Sequence, residues 1–154
     1  MDALTITCES PLGDDLALIF QRHAAEMFAH SPPESIHMMA RGDLDHPTIS
    51  FYALREAGRP VAMGAIKIIA PGHGEIKSMP VLQEDRGRGL SRDLLHHLLA
   101  VARDKGLSRL SLETGAQPAF AAARALYARA GFAECAPFAS YRPDPHSVFM
   151  TRDL

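Results

Sequence analysis

Between Gln83 and Ser91 the chain reads Gln-Glu-Asp-Arg-Gly-Arg-Gly-Leu-Ser, with Arg86 and Arg88 interleaved with Gly87 and Gly89 just ahead of an amphipathic stretch. The two glycines let the backbone curl so that successive N–H groups point outward at a helix start, where the helix dipole also favours an anion. Arg86 and Arg88 add full positive charge. An anion held by backbone amides, with arginines in support, points to a di- or polyphosphate. Two common phosphate loops are excluded by spacing, since neither Gly-x4-Gly-Lys-Ser/Thr nor Gly-x-Gly-x-x-Gly occurs.

Such a loop works only between a strand and a helix, and the flanking sequence supplies both. The apolar run Ile76 to Leu82 reads as a strand. Leu90, Leu94, Leu98 and Val101, with Leu95 and Ala102 alongside, recur at helical spacing up to Gly106. Upstream, Leu4 to Cys8 reads as a strand. Ser10-Pro11 then reads as a helix entry, and Leu16, Ile19, Phe20, His23, Ala24, Met27 and Phe28 form a core stripe that Ser31-Pro32-Pro33 ends. Glu34 to Asp45 is irregular or a short second helix. Thr48 to Arg55 and Val61 to Ile69 form strands around Gly58-Arg59-Pro60, and Pro71 to Gly74 forms the next turn. Downstream come a strand at Leu110 to Glu113, a helix from Gln117-Pro118 to Gly131, and strands at Phe132 to Phe138 and Ser147 to Thr151. Meander and crossovers together predict one domain, an α/β (α+β) mixed, mostly antiparallel sheet of about six to seven strands flanked by about four helices.

Composition narrows the class further. The 154 residues suffice for one domain, 47% hydrophobic and 22% charged residues are globular values, and a net charge of −2 gives no general attraction to nucleic acid or acidic membrane. The arginines near Arg86 therefore mark a local site for a small partner. Cys8 and Cys135 lack metal or redox spacing and read as reduced, buried or half-buried thiols. Met1 to Ser10 has neither a basic start nor an apolar core, and no apolar run is long enough to span a membrane, so the expected location is cytoplasmic. His96 and His97 read as a solvated flank rather than a metal site, and His23 as a packed residue.

Arg86-x-x-Gly89-x-Ser91 resembles the pyrophosphate motif Gln/Arg-x-x-Gly-x-Gly/Ala of the GNAT superfamily of acyl-CoA-dependent N-acetyltransferases, with Ser91 as a departure. In register with it, Ala123-x-x-Leu126-Tyr127-x-x-x-Gly131-Phe132 is similar to the superfamily's carboxy-terminal signature. His73 to Met79, Leu112 to Gly115, Pro137-Phe138 with Tyr141, Asp144-Pro145 and Ser147 to Met150 resemble a subgroup of small bacterial members. The resemblance implies the fold just described, with splayed strands at the acyl-CoA site. It also implies acetyl-CoA as co-substrate and no metal.

It further implies roles. Arg86, Gly87, Arg88, Gly89, Leu90 and Ser91 would hold the pyrophosphate. Met79 and Val81 would bind the pantetheine arm as an added strand, with an amide near Met79 polarising the thioester carbonyl. Tyr127 would protonate the leaving thiolate. Relatives often carry Asn seven residues earlier, where this chain has Phe120. Attack requires a neutral amine, and Glu113 and Glu75 are both candidates to take its proton. Glu34, His37 and Tyr141 would meet the acceptor. The expected activity is acetyl transfer to a primary amine of a small molecule or amino acid. A non-catalytic acyl-CoA sensor and a protein lysine or N-terminal acetyltransferase are the alternatives. Dimerisation is common in relatives, but this sequence carries no interface signal of its own.

Overall fold

The computed structural model describes residues 3–154 as a seven-stranded sheet in the order β1-β2-β3-β4-β5-β7-β6. The strands are β1 (Leu4–Cys8), β2 (Ile49–Glu56), β3 (Arg59–Ala70), β4 (His73–Lys77), β5 (Arg109–Gly115), β6 (Ala133–Cys135) and β7 (Ser147–Asp153). All neighbours are antiparallel except β4 and β5. Three α-helices cover the sheet, α1 (Ala17–His30), α2 (Leu90–Asp104) and α3 (Ala121–Arg129). Met1 and Asp2, part of the segment read for a leader, lie outside the described residues.

One face of the sheet takes α2, which buries Leu90, Leu94, Leu95, Leu98, Leu99 and Ala102. Each fully buried leucine stabilises the fold by about 1.5–3 kcal/mol. Gly64 of β3 makes the close seating feasible, because a Cβ there would stand 3.1 Å from Leu98, 3.2 Å from Met79 and 3.4 Å from Leu94. The other face takes α1, where Leu16 and Ile19 join Phe51, Met63 and Leu82 in a second core. Phe28 does not complete that stripe, being 62% exposed.

Several elements differ from the sequence reading for local reasons. Helix α1 starts at Ala17 rather than at Ser10-Pro11, because the Ser10 hydroxyl accepts the Leu12 N–H to close a turn and Gly13 is extended. A short 3-10 turn at Asp14–Leu16 then leads in, and Arg55 of β2 anchors it by donating to Asp15. Glu34 to Asp45 folds as two 3-10 turns, Pro33–Ser35 and Arg41–Leu44, so three α-helices stand where about four were expected. The strand after Phe132 keeps only three residues, Ala133–Cys135. Cys8 is exposed and Cys135 half-buried, and both are free.

The important difference is in β4. The run Ile76 to Leu82 is not one strand: β4 starts at His73, stops at Lys77, and Ser78 takes φ 53°, a left-handed conformation costly for a side chain other than glycine. Pairing with β3 resumes at Val81 opposite Ala62 after a one-residue bulge, with Met63 N–H donating to Pro80 O and Leu82 N–H donating to Val61 O.

Leu94 is fully buried between α2 and β3. Leu94→Ala is expected to lower stability by about 2–5 kcal/mol. Urea denaturation checks this, with the midpoint falling and the slope unchanged.

Candidate active site

Strands β4 and β5 pair in parallel at only three positions, ending at Glu75 opposite Ser111. Beyond that point β5 continues to Gly115 on the arm of β7, whereas the bulge carries the other chain away with β3. A cleft of about 810 Å³ opens at this divergence. Its wall includes Ser78 to Val81, the turn before α2, Tyr127 of α3 and Glu113 of β5. The bonds around Pro80 and Leu82 face β3, so the backbone groups of Val81 between them face away from it, and Arg86 Nε donates to Val81 O at 3.0 Å.

At one end of the cleft, Gly87 and Gly89 take φ 81° and 77°, and α2 begins at Leu90 with no side-chain cap. The first N–H groups of a helix have no intrahelical partner, so this terminus can donate hydrogen bonds to an anion. The arginines are already engaged. Arg86 Nη2 donates to Glu26 of α1 at 2.6 Å, while Arg88 pairs with Glu56 and with Asp85 at 3.1 Å. Asp85 is buried and also paired with Arg59, so Arg88 braces the loop and stands outside the cleft wall.

At the other end Glu75 is 3% exposed. Tyr141 OH donates to its Oε2 at 2.5 Å, and Lys77 Nζ lies 3.4 Å from the same oxygen. Lys77 also donates to Tyr141 OH at 2.9 Å and to His37 O at 3.0 Å, while the His37 and Tyr141 rings meet edge to face. Ser35 Oγ donates to Asp144 at 2.6 Å. Two loops, one after α1 and one before β7, are thus clasped over this end. Glu34 points elsewhere, exposed and off the cleft wall.

Glu113, near His37 and Lys77, and Tyr127 of α3 also line the cleft. Burial pushes the Glu113 carboxyl above the usual range, against smaller opposite effects from Ser147, His37 and Lys77. The Ser147 hydroxyl lies near this carboxylate but makes no well-formed hydrogen bond with any described residue. Tyr127 is buried against Phe132, and burial followed by the charge of Glu113 holds its phenol well above the ordinary value, so it stays protonated.

The cleft therefore gathers Tyr127, Glu113, Glu75, Met79, Val81, Arg86, Gly87, Gly89, Leu90, Ser91, His37 and Tyr141. Sequence reasoning missed Lys77, Glu26 and His23. Lys77 was within reach, since it lies two residues after Glu75 on a strand and so shares its face. His23 is not merely a core residue. It lines the cleft, and its Nδ1 is sealed from solvent with no hydrogen-bond partner among the described residues. His97 also departs from the solvated flank expected, packing on Tyr52 with ring centroids 5.1 Å apart.

Comparison with known proteins places the molecule in a class. The chain belongs to the acetyltransferase (GNAT) family, whose model matches residues 16–132. It is an acyltransferase, and members of this family use acetyl-CoA as co-substrate. An uncharacterised N-acetyltransferase of Escherichia coli, YedL, is 44% identical over 86% of this chain and 83% of its own. An IAA acetyltransferase of Azospirillum brasilense is 39% identical, with both chains fully covered. The crystal structure of a candidate acyl-CoA N-acyltransferase from Klebsiella pneumoniae superposes with a TM-score of 0.81 at 32% identity, covering 98% of this chain and 97% of that one. No helix among the described residues is long and apolar enough to cross a membrane.

Burial lowers the pKa of His23 from 6.5 to about 4. Between those values the unfolded chain binds a proton that the folded chain does not. Stability is therefore full above about pH 6.5 and falls as pH drops toward 4, by at most ~3 kcal/mol. Denaturant titrations at pH 7 and pH 4.5, on the wild type and His23→Gln, should show a smaller loss in the variant.

Proposed function

We infer that the protein transfers the acetyl group of acetyl-CoA to a primary amine of a small molecule, with Glu113 as base and Tyr127 as acid. The observation that carries this reading is the placement of a half-buried carboxylate in no ion pair among the described residues near a buried phenol, just beyond the point where β4 and β5 part.

The residues fit the donor. The uncapped start of α2 with Gly87 and Gly89 suits the pyrophosphate, and the backbone of Met79 and Val81 suits the pantetheine amides. When bound, acetyl-CoA supplies an activated thioester carbonyl. Of the two candidate bases, Glu75 has its carboxylate engaged by Tyr141 and Lys77, whereas Glu113 has no such partner. A carboxyl made more basic by burial is better matched to an amine proton. Glu113 takes that proton as the N–C bond forms. Tyr127 gives its proton to the sulfur as the C–S bond breaks, and the proton held by Glu113 returns to the phenol through solvent. The raised pKa keeps the phenol protonated until charge develops on the sulfur. The thiolate is made more basic by the same dry surroundings.

The clasp of the two loops over the acceptor end supports a small acceptor over a protein segment, since a lysine or terminus on a folded partner would have to enter past Ser35–Asp144 and His37–Tyr141.

Tyr127→Phe keeps the ring and removes the hydroxyl. The expected result is a fall in kcat of about 100-fold or more with acetyl-CoA affinity unchanged, measured as thiol release with an accepted amine. A kcat within a few-fold of wild type would remove Tyr127 from the chemistry. Arg86→Ala should weaken acetyl-CoA binding by only about 1–2 kcal/mol, less than an unpaired arginine would give, because the wild-type side chain must leave Glu26 to meet a phosphate. Calorimetric titration checks this.

A further inference from the structure

At the acceptor end, the charges are unevenly available. Lys77, the cation on β4, is committed on every side, to His37 O, Tyr141 OH and the Glu75 carboxylate, and its side chain is only 10% exposed. The arginines that line the cleft, Arg86, Arg92 and Arg129, belong to α2, its leading turn and the end of α3, not to the strands and loops that carry Glu113 and Tyr141. Tyr141 OH both donates to Glu75 and accepts from Lys77, so it too is saturated. Among the described residues, Glu113 is in no ion pair and lines the cleft with Ile36, Met38, Leu112 and Tyr141.

The geometry points to an acceptor that is a compact primary amine without a carboxylate of its own, selected because Glu75 and Tyr141 occupy the one lysine that could have received an acid group. This rests on the reading of the cleft as an amine acetyltransferase site. The nitrogen is recognised by Glu113 and the body by Ile36, Met38 and Leu112. A free α-amino acid would bring a second anion next to Glu113, where Lys77 is already paired, and burying an anion without a counterion is unfavourable. The clasp from Ser35 to Asp144 limits the length of the body in the same way.

The test is a set of matched acceptors assayed side by side at one fixed pH by thiol release from acetyl-CoA. Phenethylamine is compared with phenylalanine and phenylalanine amide, and 3-methylbutylamine with leucine and leucine amide. The amines and amides are expected to exceed the amino acids by about ten-fold or more in kcat/KM, the equivalent of ~1.4 kcal/mol. Amino acids equal to or better than their amines overturn the acceptor class while leaving acetyl transfer intact. No thiol release with any member of the set overturns the small-amine reading itself, and the acceptor class with it. Glu75→Gln supplies a second measurement: it uncovers the charge of Lys77 and should narrow the ratio of amine to amino acid several-fold. An unchanged ratio in the folded variant overturns the role given to Lys77 and Glu75.

Discussion

Everything at the site depends on the parting of β4 from β5 after Glu75 and Ser111. A parallel pair inside a sheet normally continues until both strands end, because each buried N–H and C=O needs a partner. Here Ser78 turns out of the extended conformation, the chain follows β3 instead, and a wedge opens between the two strands. Its unmatched polar groups can be satisfied by water or by a ligand with strand-like amides. Pro80 is compatible with this break because it gives only its carbonyl to β3. The same divergence brings Glu113, on the strand that stays, to the side facing Tyr127 of α3.

The electrostatics are arranged around that wedge as a series of internal exchanges. Arg86 rests on Glu26, Arg88 on Glu56 and Asp85, and Lys77 on Glu75 and Tyr141. A phosphate that takes Arg86 from Glu26 replaces one anion with another, so the helix terminus and its free N–H groups carry the larger share of the attraction. At the opposite end the pairing of Lys77 leaves Glu113 as the carboxylate without a counterion. Burial then makes it a stronger base, and the protonated phenol beside it completes the pair. On the proposed reading, one cleft binds an anion at one end and moves a proton at the other.

Much of this was legible in the chain before any coordinates. The glycine spacing, the leucine stripe of α2 and the order of elements led to the sheet, because they reflect local backbone demands and helical periodicity. The phosphate turn and Tyr127 lay in fixed register with those elements, and both line the cleft. What could not be read was set by tertiary contacts. The break at Ser78 looks apolar and continuous in sequence, since Met79, Val81 and Leu82 are all strand formers, yet the bulge is fixed by pairing with Ala62. Nor could the sequence show that Tyr141, 66 residues away, engages Glu75 rather than Glu113. The helix start predicted at Ser10 failed because a hydroxyl that can cap a helix can equally close a turn.

The central claim is that the acyl donor lies in the wedge with its reacting sulfur beside Tyr127. A crystal structure with a non-transferable acetyl-CoA analogue tests it most directly. The account predicts the pyrophosphate over the N–H groups of Gly87 to Ser91, the pantetheine amides bonded to the backbone between Met79 and Val81, and the sulfur position within hydrogen-bond reach of the Tyr127 hydroxyl. A donor bound outside the cleft, or one whose sulfur sits away from Tyr127 with Glu113 shielded from the acceptor end, would contradict it.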